Sequence, residues 1–527
     1  MMDKKIWLLS TAIAATALTA CGGDDNDSNG GTPSTGGDES KTPAEILADL
    51  NVTAPETYAF ASKLANGSSV SYSGQTARQV LISDLADAVG ALQVASAETA
   101  DDIEEDLQFF INGDDIDTTN HGFTLADETV VPGPTYADIS SGKNLIGKIA
   151  GGYIGDNGLT AGESTRWANA NGEFGASGRF YGWEDATVAI NRPIDLLNLF
   201  VRRAAEGSDG NGFAINGGAI DVDVAYLDKY GRDYQQLVQK FALGAVAFSQ
   251  GTSDYLSPRF EFENVYEEGD KYTTAEHHWD EGFGYFGAAR NYSRYTDDEI
   301  AGKGGRDGWA KGYNDFDTAD GGIDLGSEIN LANSTNCAKR DRGATDATNF
   351  TKEVFDAFLA GRAILSEAAS RATLVDVGSA NNGAVALTAA ELTALNELSE
   401  IASVTWEKCV AATVVHYIND VTGDMNNFDN GQYADLANFT DLAKHWSEMK
   451  GFALGLQFNR YSPFNENAAS VDKLEEILAL MGDAPVLADG KQIEAQVGVD
   501  AYKTDLLKAR SMLQDAYEFS QANVENW

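Results

Sequence analysis

Long runs with a helical repeat, nearly free of proline, most constrain what this chain can fold into. They include "TARQVLISDLADAVGALQVA", "RPIDLLNLFVRRAAEG", "VAYLDKYGRDYQQLVQKFALGAVAFSQ", "NFTKEVFDAFLAGRAILSEAASRA", "TAAELTALNELSEIASVTWEKCVAATVVHYINDV" and "VDAYKTDLLKARSMLQDAYEFSQANVENW". Apolar side chains recur at i, i+3 and i+4, as at Phe355, Phe358 and Leu359, and so line one helix face. Only 9 prolines occur in 527 residues, and proline inside a helix removes a hydrogen bond and clashes with the preceding turn. Alternating strand patterns are rare. The expectation is an all-α protein. Thr42-Pro43-Ala44-Glu45 reads as its first helix start, with Thr as cap, Pro at the first position and Glu reaching back. Gly-rich polar stretches near 112–142, 151–178, 207–220 and 302–345 separate the helices, and are long for connections in a compact domain.

Two segments repeat. His278-Trp279-Asp280-Glu281 matches His445-Trp446-Ser447-Glu448, and Gly282-Phe283 resembles Gly451-Phe452 after a short insertion. The simplest explanation is an internal duplication giving two helical bundles, one per motif. The expected division is an N-terminal lobe over 43–330 and a C-terminal lobe over 331–527.

Residues three apart on a helix share a face. His278 with Glu281, and His445 with Glu448, therefore offer an imidazole and a carboxylate to one spot. That donor pair suits a transition metal such as iron or zinc, and bundle metalloproteins use the mirror spacing, Glu-x-x-His. His416, in "VVHYIND", is a further candidate ligand. The competing explanation is a hydrogen-bonded structural pair inside a helix interface. For His416 it is a core histidine. No catalytic residue is assigned: the chain has no His-Glu-x-x-His, Gly-x-Ser-x-Gly or Walker loop. A separate acidic loop, "NDFDTADGGIDLGSEIN", places Asp315, Asp317, Asp320, Asp324 and Glu328 around a Gly-Gly-Ile turn. It is a degenerate match to a calcium loop, whose oxygen ligands are spaced closely about a Gly and closed by a Glu. A plain solvated acidic loop is the alternative.

The first residues carry a charged segment, a short apolar run and Leu18-Thr19-Ala20-Cys21. This is the layout of an export signal. Leu-Thr-Ala-Cys resembles the lipobox of bacterial lipoproteins, which implies removal of residues 1–20 and lipid attachment at Cys21. Residues 21–42, rich in Gly, Ser and Asp, read as a flexible tether. Gly22 after the Cys resembles outer-membrane sorting, and Asp24, Asp25 and Asp27 resemble surface-export signals; the leaflet stays open. The net charge is −44, from 37 Lys and Arg against 81 Asp and Glu. Such a chain does not bind nucleic acid, which needs the opposite sign, and its field draws cations. Cys337 and Cys409 are either bridged, as an exported chain permits, or reduced.

"VSYSGQTAR", "EHHWDEGFGYFG", "DGGIDLGSEIN", "WEKCVAATVVHYIND" and "HWSEMKGFALGLQFN" together resemble a family of bacterial lipoproteins catalogued as a domain of unknown function. The repeated His-x-x-Glu is similar, more distantly, to imelysin-like proteins, a family associated with iron uptake and labelled as peptidases. Glu276 and Ala443 stand where that family has Gly. The resemblance implies two antiparallel helical bundles. It also implies a membrane-anchored, non-enzymatic binding component of iron or metal acquisition, partnered by the membrane and an outer-membrane receptor. A metal-dependent hydrolase and a partner-binding scaffold are the alternatives.

Overall fold

The computed structural model describes residues 41–113, 115–125, 129–152, 154–155, 158–159, 179–257, 264–266, 269–319, 321–372 and 383–527. Cys21, the expected signal and most of the tether, and Asp320 lie outside them. Helix accounts for 55% and strand for 6%, an all-α architecture as expected. The first half contains α1 (Pro43–Leu50), α2 (Ser73–Gly90), α3 (Ala100–Asn112), α4 (Tyr136–Ile139), α5 (Pro193–Asp209), α6 (Tyr234–Ala242), α7 (Thr274–Phe286) and α8 (Asp297–Ile300). The second contains α9 (Ala332–Arg342), α10 (Phe350–Ala369), α11 (Ala389–Met425), α12 (Leu436–Gly455), α13 (Ala468–Met481), α14 (Val499–Tyr517) and α15 (Gln521–Asn526). Among the described residues strand is confined to short antiparallel pairs such as Phe213–Ile215 with Ile220–Val222.

Local chemistry sets many of the helix starts. Thr42 accepts from the Glu45 N–H at 3.3 Å, and Glu45 accepts from the Thr42 N–H at 2.8 Å, so the box read from sequence forms. Thr99, Thr273 and Thr388 open α3, α7 and α11 in the same way. Two expectations need correction. Residues 224–233 are not helical. Asp228 accepts from the Tyr230 and Arg232 N–H groups, and Gly231 takes φ 77°, which folds the segment into a turn before Asp233 caps α6. The stretch 302–345 is not all loop either, because α9 lies within it and buries Asn333, Ser334 and Cys337. Its polar sequence carries no apolar stripe to betray it.

One element organises the rest. From Cys409 to Val415 every residue of α11 is buried, so the helix is enclosed on all sides there. Helices α1, α9, α10, α12, α14 and α15 lie against it. Across residue 330, α6 packs on α12 and α7 on α10. A continuous apolar core runs from Ile46 to Trp527.

The repeated tryptophans are core anchors. Trp279 is 1% exposed and donates its indole N–H to the Phe358 carbonyl of α10 at 2.8 Å. Gly361 makes the approach possible: a Cβ there would sit 1.9 Å from the Trp279 ring. Trp446 is fully buried and donates to the Tyr502 hydroxyl at 2.9 Å and the Met481 carbonyl at 3.2 Å.

Cys337 of α9 and Cys409 of α11 form a disulfide across 72 residues. Closing a loop of that length in the unfolded chain is worth up to ~4 kcal/mol in the entropic account. Replacing both with Ser should lower the unfolding free energy by about 2–4 kcal/mol. A urea midpoint equal to that of the parent would contradict this role.

Candidate functional site

The two repeated segments sit on helices but in different surroundings. On α7, Glu276 and Asp280 turn inward. Arg362 of α10, 0% exposed, donates to Glu276 at 2.6 Å and to Asp280 at 2.8 Å, and also to the Ser69 hydroxyl at 2.7 Å. The Tyr58 hydroxyl donates to Asp280 at 2.9 Å. This buried network joins α7, α10 and the segment before α2. Burial pushes the Glu276 carboxyl up, opposed by the Arg362 charge. Neither acid was among the sequence candidates, although both flank the repeated His-Trp; their i, i+4 spacing is the signal that points to a shared partner.

On the outer face of α7, Glu281 accepts from Gln75 Nε2 at 2.7 Å and lies 3.9 Å from Nε2 of His277. His277 donates through Nδ1 to the Ser71 carbonyl, 3.0 Å away, and stacks on Tyr272. His278 faces Tyr255, with ring centroids 6.0 Å apart. His277, at i, i+4, thus shares the surroundings of Glu281.

The second segment lies on α12, which carries His445 and Glu448 and packs on α11, the helix of His416. Nδ1 of His445 is 2.9 Å from Asp424 Oδ2, and Nε2 of His416 is 3.2 Å from Asp420 Oδ2. Asp424 thus holds the His445 imidazole, and Asp420 stands beside that of His416. Tyr417 stacks between His445 and Phe452 and places its hydroxyl beside Glu448. One Glu448 oxygen lies 3.5 Å from Lys240 Nζ of α6; the other, Oε2, is buried without a hydrogen-bond partner. His416 and Asp420 keep 30% and 33% of their side chains exposed, so the cluster reaches solvent.

Charge balance differs between the two histidines. Burial works against the charged form of His445, but the Asp424 hydrogen bond and charge outweigh it and its pKa rises. Burial, then the positive Arg340, pushes His416 down to about 3, so it is neutral at neutral pH. Arg340, at the end of α9, is 7% exposed; burial drags its guanidinium down to about 10, still cationic at neutral pH. Sequence reasoning missed Arg340, Asp420 and Asp424. The run "HYINDVTGD" held a signal, since Asp420 and Asp424 follow His416 at successive helical turns.

The acidic loop folds on itself. Glu328, 0% exposed, accepts from the Asp317 and Asp324 N–H groups, the latter at 2.9 Å. Asp324 accepts from the Gly326 N–H and the Ser327 hydroxyl, both at 2.7 Å. Asp315 is exposed. Among the described residues, no three His, Cys, Asp or Glu side chains stand together closely enough to hold a metal.

The family model described as "Domain of unknown function (DUF4856)" matches residues 176–300, about a quarter of the chain, a span that holds α5 to α8. No curated protein and no solved structure matches the chain.

A further buried acid shapes the pH response. Glu407 of α11 is 0% exposed and accepts from the Ser462 and Tyr517 hydroxyls, each at 2.6 Å. Burial pushes it up from 4.5 to about 7. Between those values the folded chain keeps a proton that the unfolded chain has released, so stability falls as pH rises through this window. Glu407→Gln should flatten that fall by ~3 kcal/mol between pH 4.5 and 7. Urea unfolding at several pH values checks it; parallel curves for parent and variant would contradict it.

Proposed function

We propose that this chain is an extracytoplasmic, lipid-anchored binding component linked to metal acquisition, which holds its ligand without transforming it. The site is the cluster on α11 and α12 rather than the one on α7. The carrying observation is the pairing on α12. Asp424 takes Nδ1 of His445, and one turn on Glu448 leaves Oε2 buried and unpartnered. A carboxylate on one ring nitrogen is the usual way a protein fixes the other nitrogen for a metal, and a lone buried carboxylate oxygen calls for a cation or a donor.

His445 and Glu448 would be the donors for iron or zinc, with His416 at the rim. Two protein donors leave the remaining coordination to water or to whatever carries the metal. Bound metal would supply charge neutralisation to Glu448; Asp424 orients His445, Lys240 balances Glu448, and Tyr417 closes one side. The lipobox resemblance and the tether support a body held at a membrane. The disulfide suits an oxidising compartment, and the charge of −44 favours cation capture.

Chelator-stripped protein titrated with zinc or ferrous iron should bind stoichiometrically at micromolar levels. His445→Ala should weaken that binding at least ~10-fold, while His278→Ala leaves it unchanged. Absence of stoichiometric binding, or binding lost only with His278→Ala, would contradict the assignment.

A further inference from the structure

The chain contains two buried arginines that it treats in opposite ways. Arg362 is enclosed by two carboxylates and a hydroxyl. Arg340 is 93% buried, since its exposure is 7%, yet its Nε has no hydrogen-bond partner. Among the described residues no carboxylate forms an ion pair with its guanidinium. Asp420 and the Tyr417 hydroxyl act on it only through space. A buried guanidinium with no carboxylate in contact is costly. It is the more anomalous in a chain with 81 acidic residues to spare.

The surroundings hold Arg340 in place. Cys337 lies one helical turn before it on α9 and is bridged to Cys409 of α11. His416 lies two turns beyond Cys409 on that helix, so one covalent bond sets Arg340 against His416 and Tyr417. The Arg340 carbonyl accepts from the Trp527 indole N–H at 3.0 Å, and Asn419 Nδ2 donates to the Trp527 carbonyl at 2.9 Å. Lys339 stands exposed beside it. His416 and Asp420, each about one-third exposed, connect the spot to solvent.

We propose that Arg340 is an anion-recognition group and that it binds a carboxylate of a small organic ligand. Arginine presents a planar fork of donors that matches a carboxylate in two parallel hydrogen bonds. Asp420, Asp424 and Glu448 on the adjoining faces disfavour a dianionic phosphate more than a single carboxylate. This goes beyond the metal assignment and does not depend on it.

The test uses metal-free protein with its disulfide intact, and succinate, citrate, acetate and inorganic phosphate at constant ionic strength. Acetate, the single carboxylate, should raise the melting temperature of the parent, and phosphate should not. Arg340→Gln should abolish that rise and weaken binding, measured by calorimetry, at least ~30-fold. Without ligand, Arg340→Gln should melt at or above the parent, because it removes an uncompensated buried charge. Arg340→Lys, which keeps the charge and loses the fork, should retain only part of the shift. No rise with any carboxylate, an equal rise with phosphate, or a rise that survives Arg340→Gln would overturn the proposal. So would a ligand-free Arg340→Gln that melts below the parent, since that assigns Arg340 to the scaffold.

Discussion

The fold depends on enclosing α11. A helix buried on every side through Cys409–Val415 cannot rest on a surface; neighbours must surround it. Helices from both ends of the chain do so, from α1 to α15. The same enclosure fixes what the ends of α11 can do. Its middle is apolar and carries Trp406 and Cys409, while its C-terminal third turns polar and offers His416, Asp420 and Asp424 at successive turns. The candidate site is therefore the place where the central helix leaves the core.

Buried charge is used in two ways. Around Arg362 every strong group has a partner, and the network ties α7 to α10 without opening to solvent. Complete pairing of that kind gives a defined interface, and removing one member would strand the others. Around Arg340 and Glu448 the pairing is incomplete: a guanidinium nitrogen and a carboxylate oxygen are both buried without partners. Incomplete pairing in a reachable cluster is what a ligand site looks like before the ligand arrives. The contrast within one chain is stronger than either observation alone.

Much of the helical architecture was legible because it rests on local rules. Threonine caps with a Glu three residues on, apolar periodicity and scarce proline act within a few residues. The start of α1 and, to within a few residues, the extents of α10 and α11 followed from them. The helix α9 was not legible, because its burial comes from polar side chains and a disulfide rather than from an apolar stripe. The turn at 224–233 was missed because apolar residues such as Val224 and Leu227 imitate a helical face, while Asp228 and Gly231 bend the backbone. The site was half legible. The repeat drew attention to His445 and Glu448, and a separate histidine, His416, lies on the helix that packs against theirs. That repeat gave equal weight to α7, where the repeated Trp279 is a packing anchor and the flanking acids belong to Arg362. Spacing reports which side chains share a face; it does not report what packs on that face. Arg340 could not be found this way, since its isolation is a property of the assembled helices.

Amide hydrogen exchange resolved along the oxidised, full chain tests the central claim most directly. The account predicts that amides of Cys409–Val415 exchange only through global unfolding, that α9 shares this protection through its bridge, and that residues 302–319 exchange far faster. Exchange of Cys409–Val415 at the rate of that loop would show that α11 is not enclosed, and would contradict the architecture on which the site is built.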